Sequence, residues 1–119
     1  MTMPDRPARV AEEFRHELSA LLARGLKDPR ITGFVTVTGA KMSPDLKEVS
    51  VWVSIHGEEK VRTETLAGLE SAASYLQREV ARRLKLRHTP HLRFRYDESV
   101  AEGDKIDRLL REVRDKEGW

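Results

Sequence analysis

Cysteine is absent from this chain of 119 residues. Without a thiol the chain forms no disulfide, offers no thiolate nucleophile and lacks the sulfur ligands of the usual structural zinc site. No apolar run approaches the roughly 18 residues that a membrane-spanning helix needs. The first residues, MTMPDRPARVAEEF, also lack the apolar segment of a signal peptide. These absences predict a cytoplasmic protein that works in a reducing compartment, away from membranes.

Side-chain amides are nearly absent as well. The chain has no asparagine, and its single glutamine is Gln77. Depletion of these thermolabile residues is typical of proteins from thermophiles, so a thermophilic source is one hypothesis. Hydrophobic residues make up 39% of the chain and charged residues 35%, which is enough apolar surface for one modest core. We therefore expect a single domain over residues 1–119, with a core over about 6–97 and a helical tail over 98–119.

Cationic residues are unevenly distributed along the chain. The formal net charge is only +2. The segment from Arg78 to Arg95, however, carries seven cations and one acid, Glu79, so it has a charge of +6 and the remainder −4. Such polarity orients a protein when it meets a polyanion.

The first half of the chain predicts one helix and two strands. Apolar residues recur at helical spacing from about Pro7 to Arg24, and Asp28-Pro29 stops the helix because a residue before proline disfavours the α region. The segment Gly33 to Met42 is rich in β-branched residues, and Val49 to Ile55 alternates between apolar and polar side chains. The turn residues Ser43-Pro44-Asp45 lie between them. These segments predict an antiparallel strand pair.

The second half predicts two helices, a strand and a last helix. After a polar link, GEEKVRTE, an apolar stripe at helical spacing runs from Leu66 to Leu84. The small residues Ala72, Ala73 and Ser74 lie within it, so we predict two helices joined by a kink there. Leu92, Phe94 and Tyr96 alternate with arginines as a third strand, and a helix follows around Lys105 to Arg114. The expected α+β fold has the order α-β-β-α-α-β, with a three-stranded sheet covered on one face by helices and a short C-terminal helix.

Cations on the second half of the long stripe and on the third strand are predicted to form one exposed surface. On the helix, Arg78, Arg82 and Lys85 share a face, whereas Arg93 and Arg95 share the open face of the strand. Seven cations with one local acid cannot neutralise each other, so the excess must face water or an anionic ligand. The candidate RNA-binding residues are Arg78, Arg82, Arg83, Lys85, Arg87, Arg93 and Arg95, with Lys27 and Arg30 at the Asp28-Pro29 corner as a second location.

Other functions receive less support from the sequence. The chain has no Gly-rich phosphate loop, no G-x-S-x-G and no H-E-x-x-H, so we expect neither an enzyme nor a cofactor. His88 and His91 straddle Pro90 without a nearby carboxylate, which does not predict a metal site. A solvated surface, a DNA-binding helix-turn-helix regulator and a module that binds an acidic protein stay open as alternatives. Trp52 lies on an open strand face and is either a packed aromatic or a stacking surface.

Four stretches in fixed order resemble the bacterial ribosome-binding factor A family: LKDPRI, MSPDLKEVSVWVS, LESAASYLQREVARRLKLRHTPHLRFRYDES and EGDKIDRLLREV. The resemblance runs from Arg6 to about Val113. It implies a KH-like fold of the second type and a non-catalytic assembly factor. Such a factor binds the small (30S) ribosomal subunit and its 16S rRNA during late maturation and rRNA processing, and is tied to cold adaptation. The implied protein acts as a monomer, and an assembly GTPase is a candidate partner.

The resemblance also implies roles for individual positions. The family's Asp-Pro-Arg signature stands here as Asp28-Pro29-Arg30. Typical KH domains clamp the nucleic-acid backbone with a GxxG loop, whereas this family resembles a KH domain with an Ala-x-Gly kink, which corresponds here to Ala72-Ala73-Ser74. Serine replaces glycine in this chain. Because serine is small and can cap a following helix, the kink is still predicted at this position.

Overall fold

A computed structural model describes residues 6–26, 28–31 and 34–99 of the chain. Its elements are, in chain order, α1 (Arg6–Ala23), β1 (Phe34–Met42), β2 (Glu48–His56), α2 (Glu59–Arg83) and β3 (His91–Tyr96). The α+β class and the three-stranded sheet predicted from the sequence are confirmed. Lys27 and the predicted C-terminal helix around residues 105–114 lie outside the described residues.

Helix α1 forms because its apolar side chains repeat every three or four residues and so fall on one face. Phe14 and Leu18 on that face are fully buried. The helix ends before Gly25, which has a φ of 86° and donates its N–H to the Leu22 carbonyl at 3.0 Å. A left-handed residue is the usual way for a helix to stop, and glycine adopts it without steric cost.

The sheet has the strand order β1-β2-β3. Strand β1 pairs with β2 in the predicted antiparallel sense, with Val35 opposite Ile55. Strand β2 pairs with β3 in parallel, with Val51 opposite Phe94. A parallel pair needs a long crossover connection, and α2 supplies it. The alternating valines of β2 are buried, so one face of the sheet packs against both helices and the other face is open.

Helix α2 corrects the prediction of two helices joined by a kink. It is one uninterrupted α-helix of 25 residues that passes through Ala72, Ala73 and Ser74. Alanine is the best helix former, and serine carries only a small helix penalty, whereas glycine costs about 1 kcal/mol in a helix interior. Without glycine or proline at this position, nothing local interrupts the hydrogen-bond ladder. The described order is therefore α-β-β-α-β.

The start of α2 corrects a second prediction. The polarity of the segment GEEKVRTE predicts a link, but residues from Glu59 onward are helical. The segment is polar because this turn of the helix is mostly exposed, and Glu59 in the first turn complements the positive end of the helix dipole. Arg62 reaches from this turn to β3, where its guanidinium lies 5.7 Å from the centroid of the Tyr96 ring.

A close contact fixes α2 against the Asp28–Ile31 corner. Gly68 is buried in α2, and a Cβ at this position would lie 2.7 Å from Cγ1 of Ile31 and 3.3 Å from Cβ of Arg30. The hydroxyl of Thr65 also donates to the Arg30 carbonyl at 3.4 Å. Glycine therefore allows the corner to approach the helix backbone. Within the described part of the chain, no helix is long and apolar enough to cross a membrane.

Candidate nucleic-acid interface

A groove runs between α2 and the free edge of β3, and we name it the α2–β3 groove. The two elements are antiparallel, since Gln77 contacts Leu92 and Arg62 contacts Tyr96. The groove has a volume of about 330 Å³. Its lining consists of Glu70, Ala73, Ser74, Gln77, His91, Leu92, Arg93, Phe94 and Arg95. The predicted kink residues Ala73 and Ser74 therefore do lie beside the predicted cations of β3, although the helix does not break there.

The backbone of β3 presents donors to this groove. The N–H groups of His91 and Asp97 donate to the Lys47 and Val53 carbonyls on the β2 side, at 2.7 Å and 2.8 Å. Because successive residues of a strand alternate between its two edges, the N–H groups of Leu92 and Phe94 face the opposite edge. Gln77 accepts the Leu92 N–H at 2.9 Å. At Phe94 this edge lies beside the small residues Ala73 and Ser74 of α2, where a ligand backbone can approach.

Three of the predicted RNA-binding cations have carboxylate partners. Arg30 forms a two-point contact with Asp28, with N–O distances of 2.7 Å and 3.1 Å, and this lowers the pKa of Asp28 to about 2. Arg82 is paired with Glu79, which lowers the pKa of that carboxyl. These two arginines have part of their charge neutralised within the fold.

Arg83, the third of these cations, joins the two helices. Its guanidinium lies 3.1 Å from Glu17 on α1 and 3.4 Å from Glu79 on α2. About a quarter of each side chain in the Arg83–Glu17 pair is exposed, so the pair is more shielded than an ordinary surface ion pair. The structure thus gives Arg83 a contact that holds the fold together, in addition to any contact with a ligand.

Five predicted cations have no carboxylate partner among the described residues: Arg78, Lys85, Arg87, Arg93 and Arg95. All five are exposed. Arg95 donates from Nε to the Ser50 hydroxyl at 3.4 Å, which orients the guanidinium without neutralising it. Exposed cations that no acid neutralises attract anions most strongly.

The structure does not bring these five cations into a single groove. Arg93 and Arg95 lie in the α2–β3 groove, and Arg78 lies on the exposed face of α2, one turn beyond Ser74. Lys85 and Arg87 lie past the end of α2, in a second groove of about 980 Å³ that we name the end groove. Nine residues at about 1.5 Å each put Arg83, the last residue of α2, about 14 Å from Ser74 along the helix axis.

The end groove contains cations that sequence reasoning missed. The cations that line it are Arg6, Arg9, Lys47, Lys85 and Arg87. The first two come from the start of α1 and Lys47 from the turn between β1 and β2, so no local run of charge marks them. Strands β2 and β3 are parallel, so they begin at the same end of the sheet. The β1–β2 turn, which comes directly before β2, therefore lies beside the start of β3, and strand direction could have indicated this. Nothing in the sequence places α1 there.

An exposed aromatic was also missed. Tyr75 is 52% exposed and lies in a cleft with Leu26, Ala72 and the Asp28-Pro29-Arg30 corner. Its position directly after Ala-Ala-Ser and off the apolar stripe was the available signal. Tyr75 offers a ring for stacking next to Arg30. The small residues of α2 therefore lie between this cleft on one side and the α2–β3 groove on the other.

The open sheet face brings Trp52 next to a cation, as predicted from strand parity. Trp52 is opposite Arg95 on β3 and opposite Gly39 on β1. The register shifts between Val37 and Gly39, and glycine places no side chain opposite Trp52 on β1. Trp52 is half-buried.

One alternative is not supported by this geometry. A helix-turn-helix reader needs two helices joined by a short turn, whereas α2 is uninterrupted and is followed by β3 within the described residues. The exposed cations lie around a helix and a strand edge.

Comparison with known proteins decides the family. A family model for ribosome-binding factor A matches residues 6–110. The chain belongs to the ribosome-binding factor A family. It is 78% identical over 114 residues to ribosome-binding factor A of Anaeromyxobacter dehalogenans, an alignment that covers 96% of this chain and 83% of the relative. It is 52% identical to the protein of Brevibacillus brevis, with 91% and 88% covered. The resemblance stated from the sequence is confirmed.

Solved structures of ribosome-binding factor A share the fold. The crystal structure from Thermus thermophilus superposes with a TM-score of 0.65 at 28% identity and covers 77% of this chain and 97% of its own. The solution structure of a Thermotoga maritima protein, described as a putative ribosome-binding factor A, gives 0.66 at 30% identity, with 80% and 90% covered. Another Thermus thermophilus match, with a TM-score of 0.63 at 28% identity and 77% and 96% covered, is a homology model fitted into a cryo-EM map of a 30S complex of that factor.

Proposed function

We propose that this protein binds the small ribosomal subunit through its 16S rRNA during late maturation, as an assembly factor without catalytic activity. The observation that carries the proposal is that Arg93 and Arg95 form no ion pair with another described residue and lie in a groove beside Ala73 and Ser74. The Thermus thermophilus factor, fitted into the map of its 30S complex, supports the choice of partner. The phosphates of its RNA are the anionic groups of such a subunit that arginines can contact.

The α2–β3 groove suits a single RNA strand. Small helix residues let a ribose-phosphate backbone come close to α2, and the arginines of β3 neutralise its phosphates. The β3 edge next to Phe94 offers main-chain groups that can hydrogen-bond to unpaired bases. Tyr75 and Trp52 lie on the flanks of this region, where splayed bases could stack. Lys27 and Arg30 extend the same proposal to the Asp28-Pro29 corner.

The mechanism follows from charge distribution. The basic side holds rRNA by its phosphates, and the acidic remainder of the chain disfavours the opposite orientation. The bound protein shields one local RNA conformation until a rearrangement is complete and then leaves, with an assembly GTPase as the candidate trigger for release.

Co-sedimentation tests this proposal. The protein should pellet with purified small subunits and not with large subunits or DNA. The double variant Arg93→Glu with Arg95→Glu should bind small subunits at least tenfold more weakly and reduce the slope of log affinity against log salt by about one to two units. Arg24→Glu is the matched control, because Arg24 is exposed at the end of α1 and outside the α2–β3 groove.

Two results would contradict the proposal. One is unchanged affinity and salt dependence in the folded double variant. The other is equal binding to both ribosomal subunits. Urea denaturation of each variant checks folding, and an exposed charge is expected to change stability by about 1 kcal/mol or less.

A further inference from the structure

The end groove is assembled from three segments that are distant in sequence. Arg6 and Arg9 come from the first turn of α1, Lys47 from the β1–β2 turn, and Lys85 and Arg87 from the segment after α2. All five side chains are exposed, and none forms an ion pair with another described residue. Folding therefore concentrates positive charge at this end of the molecule.

The acids of the groove do not neutralise that charge. Of the residues that the structure describes, two carboxylates line it, those of Asp45 and Glu13. The Asp45 carboxylate accepts the Ser43 hydroxyl at 2.7 Å and the Lys47 N–H at 3.1 Å, and these hydrogen bonds lower its pKa. The Asp45 carboxylate therefore stabilises the β1–β2 turn, whereas the side chain of Lys47 can still contact an anionic ligand. Five cations face two carboxylates, so the groove attracts anions.

Backbone geometry holds two of the lining segments in uncommon conformations. Among the described residues, the non-glycine residues with positive φ are Leu46, at 61°, and Lys85, at 55°, and both line the end groove. After α2, Lys85 donates to the Arg82 carbonyl at 3.2 Å and Leu86 to the Ala81 carbonyl at 2.9 Å. This is the Schellman pattern, with lysine where glycine is usual. Strained residues of this kind concentrate at functional sites.

The lining determines which part of a nucleic acid the groove can bind. No Phe, Tyr or Trp is among the described residues that line it, and the one aromatic ring among them is the small imidazole of His88. Its leucines, Leu46, Leu84 and Leu86, pack against the core. The exposed lining is therefore dominated by five cations, and cations that contact phosphates position a nucleic acid without reading its bases. Double-helical RNA presents its phosphates outward, while its bases are stacked inside.

We propose that the end groove binds the phosphate backbone of an RNA double helix, as a second contact separate from the single strand in the α2–β3 groove. Ser74 in the α2–β3 groove lies about 14 Å along the helix axis from the end of α2, where the end groove begins. One protein molecule therefore holds a helix and a neighbouring unpaired strand together. This inference rests on the proposed RNA-binding function.

Two charge-reversal pairs test the inference. The end-groove pair is Arg9→Glu with Lys47→Glu, and the α2–β3 pair is Arg93→Glu with Arg95→Glu. Each folded variant is titrated with a blunt RNA duplex and with an unstructured single strand of equal charge, over a series of salt concentrations. The neutralising pair Arg9→Gln with Lys47→Gln repeats the test without new negative charge. Circular dichroism melts confirm that the variants are folded.

The expected result is a crossed pattern. The end-groove pair should bind the duplex roughly ten- to a hundredfold more weakly, with a salt slope shallower by about one to two units, and should bind the single strand as before. The α2–β3 pair should lose the single strand and keep the duplex. A bridging assay, with donor and acceptor dyes on the two RNAs, should give energy transfer only with the unchanged protein.

Other results would overturn the inference, and they are distinguishable from failure of the proposed function. Unaltered duplex binding by the end-groove pair, while the α2–β3 pair loses single strands, would reject this inference alone. If the end-groove pair binds both RNAs normally but no longer binds small subunits, the groove takes an acidic protein segment and the inference is wrong. If neither pair changes binding to either RNA, the proposed function fails as well.

Discussion

The side-chain oxygen of Gln77 accepts the backbone N–H of Leu92 at 2.9 Å. This hydrogen bond joins the second half of α2 to the outer edge of β3 and satisfies a donor that the parallel β2–β3 ladder leaves free. Both residues line the α2–β3 groove. The single glutamine of the chain therefore links the helix and the strand that carry the proposed RNA contacts.

Replacing Gln77 with leucine should destabilise the protein. The Leu92 N–H, which is partly shielded, would lose its partner, and an unsatisfied donor of this kind costs about 1–3 kcal/mol. Urea denaturation measures the change. Gln77→Glu is the control, since it keeps an acceptor oxygen and should lose less stability, while its negative charge beside Arg93 should weaken RNA binding. Equal stability of the leucine variant would show that the hydrogen bond is unimportant.

Gly68→Ala should also destabilise the protein, although alanine favours a helix by about 1 kcal/mol over glycine. The new Cβ would lie 2.7 Å from Cγ1 of Ile31, so the Asp28–Ile31 corner must move away from α2. Overpacking of this kind costs about 1–3 kcal/mol. In an Ile31→Ala background the Ile31 side chain no longer clashes with the new Cβ. The Gly68→Ala change should therefore cost less stability in that background than in the parent protein. A single variant more stable than the parent would refute the close contact.

Acid should weaken the Asp28–Arg30 contact in a defined range. Hydrogen bonds from the Arg30 side chain and backbone lower the pKa of Asp28 from 3.8 to about 2. A carboxyl with a lowered pKa in the folded state stabilises the fold above its unfolded pKa and loses that contribution as protons bind. The difference in unfolding free energy between the parent and Asp28→Asn should shrink as pH falls from about 4 to about 2.

An NMR titration of the Asp28 carboxyl carbon tests this directly. Its midpoint should be near the lowered pKa of about 2. A midpoint at the ordinary value of 3.8 would show that Arg30 does not hold the carboxylate in solution.

Lys85→Gly should separate stability from RNA binding. Lys85 has a φ of 55°, and glycine adopts this conformation without the steric cost of a side chain. Glycine also increases the conformational entropy of the unfolded chain, which offsets part of this effect. A net increase of about 0.5–1 kcal/mol in the free energy of unfolding is expected. The same change removes a cation from the end groove, so duplex RNA should bind several-fold more weakly.

Lys85→Ala is the matched control. It removes the same charge and keeps a side chain at the strained position, so it should weaken duplex binding equally without the gain in stability. Thermal melts and duplex titrations of both variants are compared. A glycine variant less stable than the alanine variant would show that the left-handed conformation carries no strain.

Much of the fold could be predicted because it depends on local periodicity. The alternation from Val49 to Ile55 predicts a half-buried strand, and its valines are buried in the structure. The helical spacing of Phe14 and Leu18 predicts the buried face of α1 in the same way. The prediction of two helices divided at Ala72-Ala73-Ser74 was wrong, since small residues permit a bend but do not require one.

The candidate site could be predicted only in part. The high local charge of the segment from Arg78 to Arg95 indicated Arg93 and Arg95 as candidates. Because side chains of a strand alternate between its two faces, these two residues are also predicted to lie on the same face of β3. The ion pair between the two helices could not be predicted from the local sequence. Arg83 finds Glu17 on the other helix, 66 residues away in sequence, and no charge run indicates this contact.

What the sequence alone determined about this protein is the family, the position of β1, β2, β3 and α1, and an excess of positive charge in the second half of the chain. Short-range patterns carry that information, because burial of one face follows from side-chain spacing. Only the tertiary structure decided that α2 is continuous and which cations have acidic partners. It alone brought Arg9, Lys47 and Lys85 into one groove, because the packing of separate elements, and not sequence distance, determines which charges become neighbours.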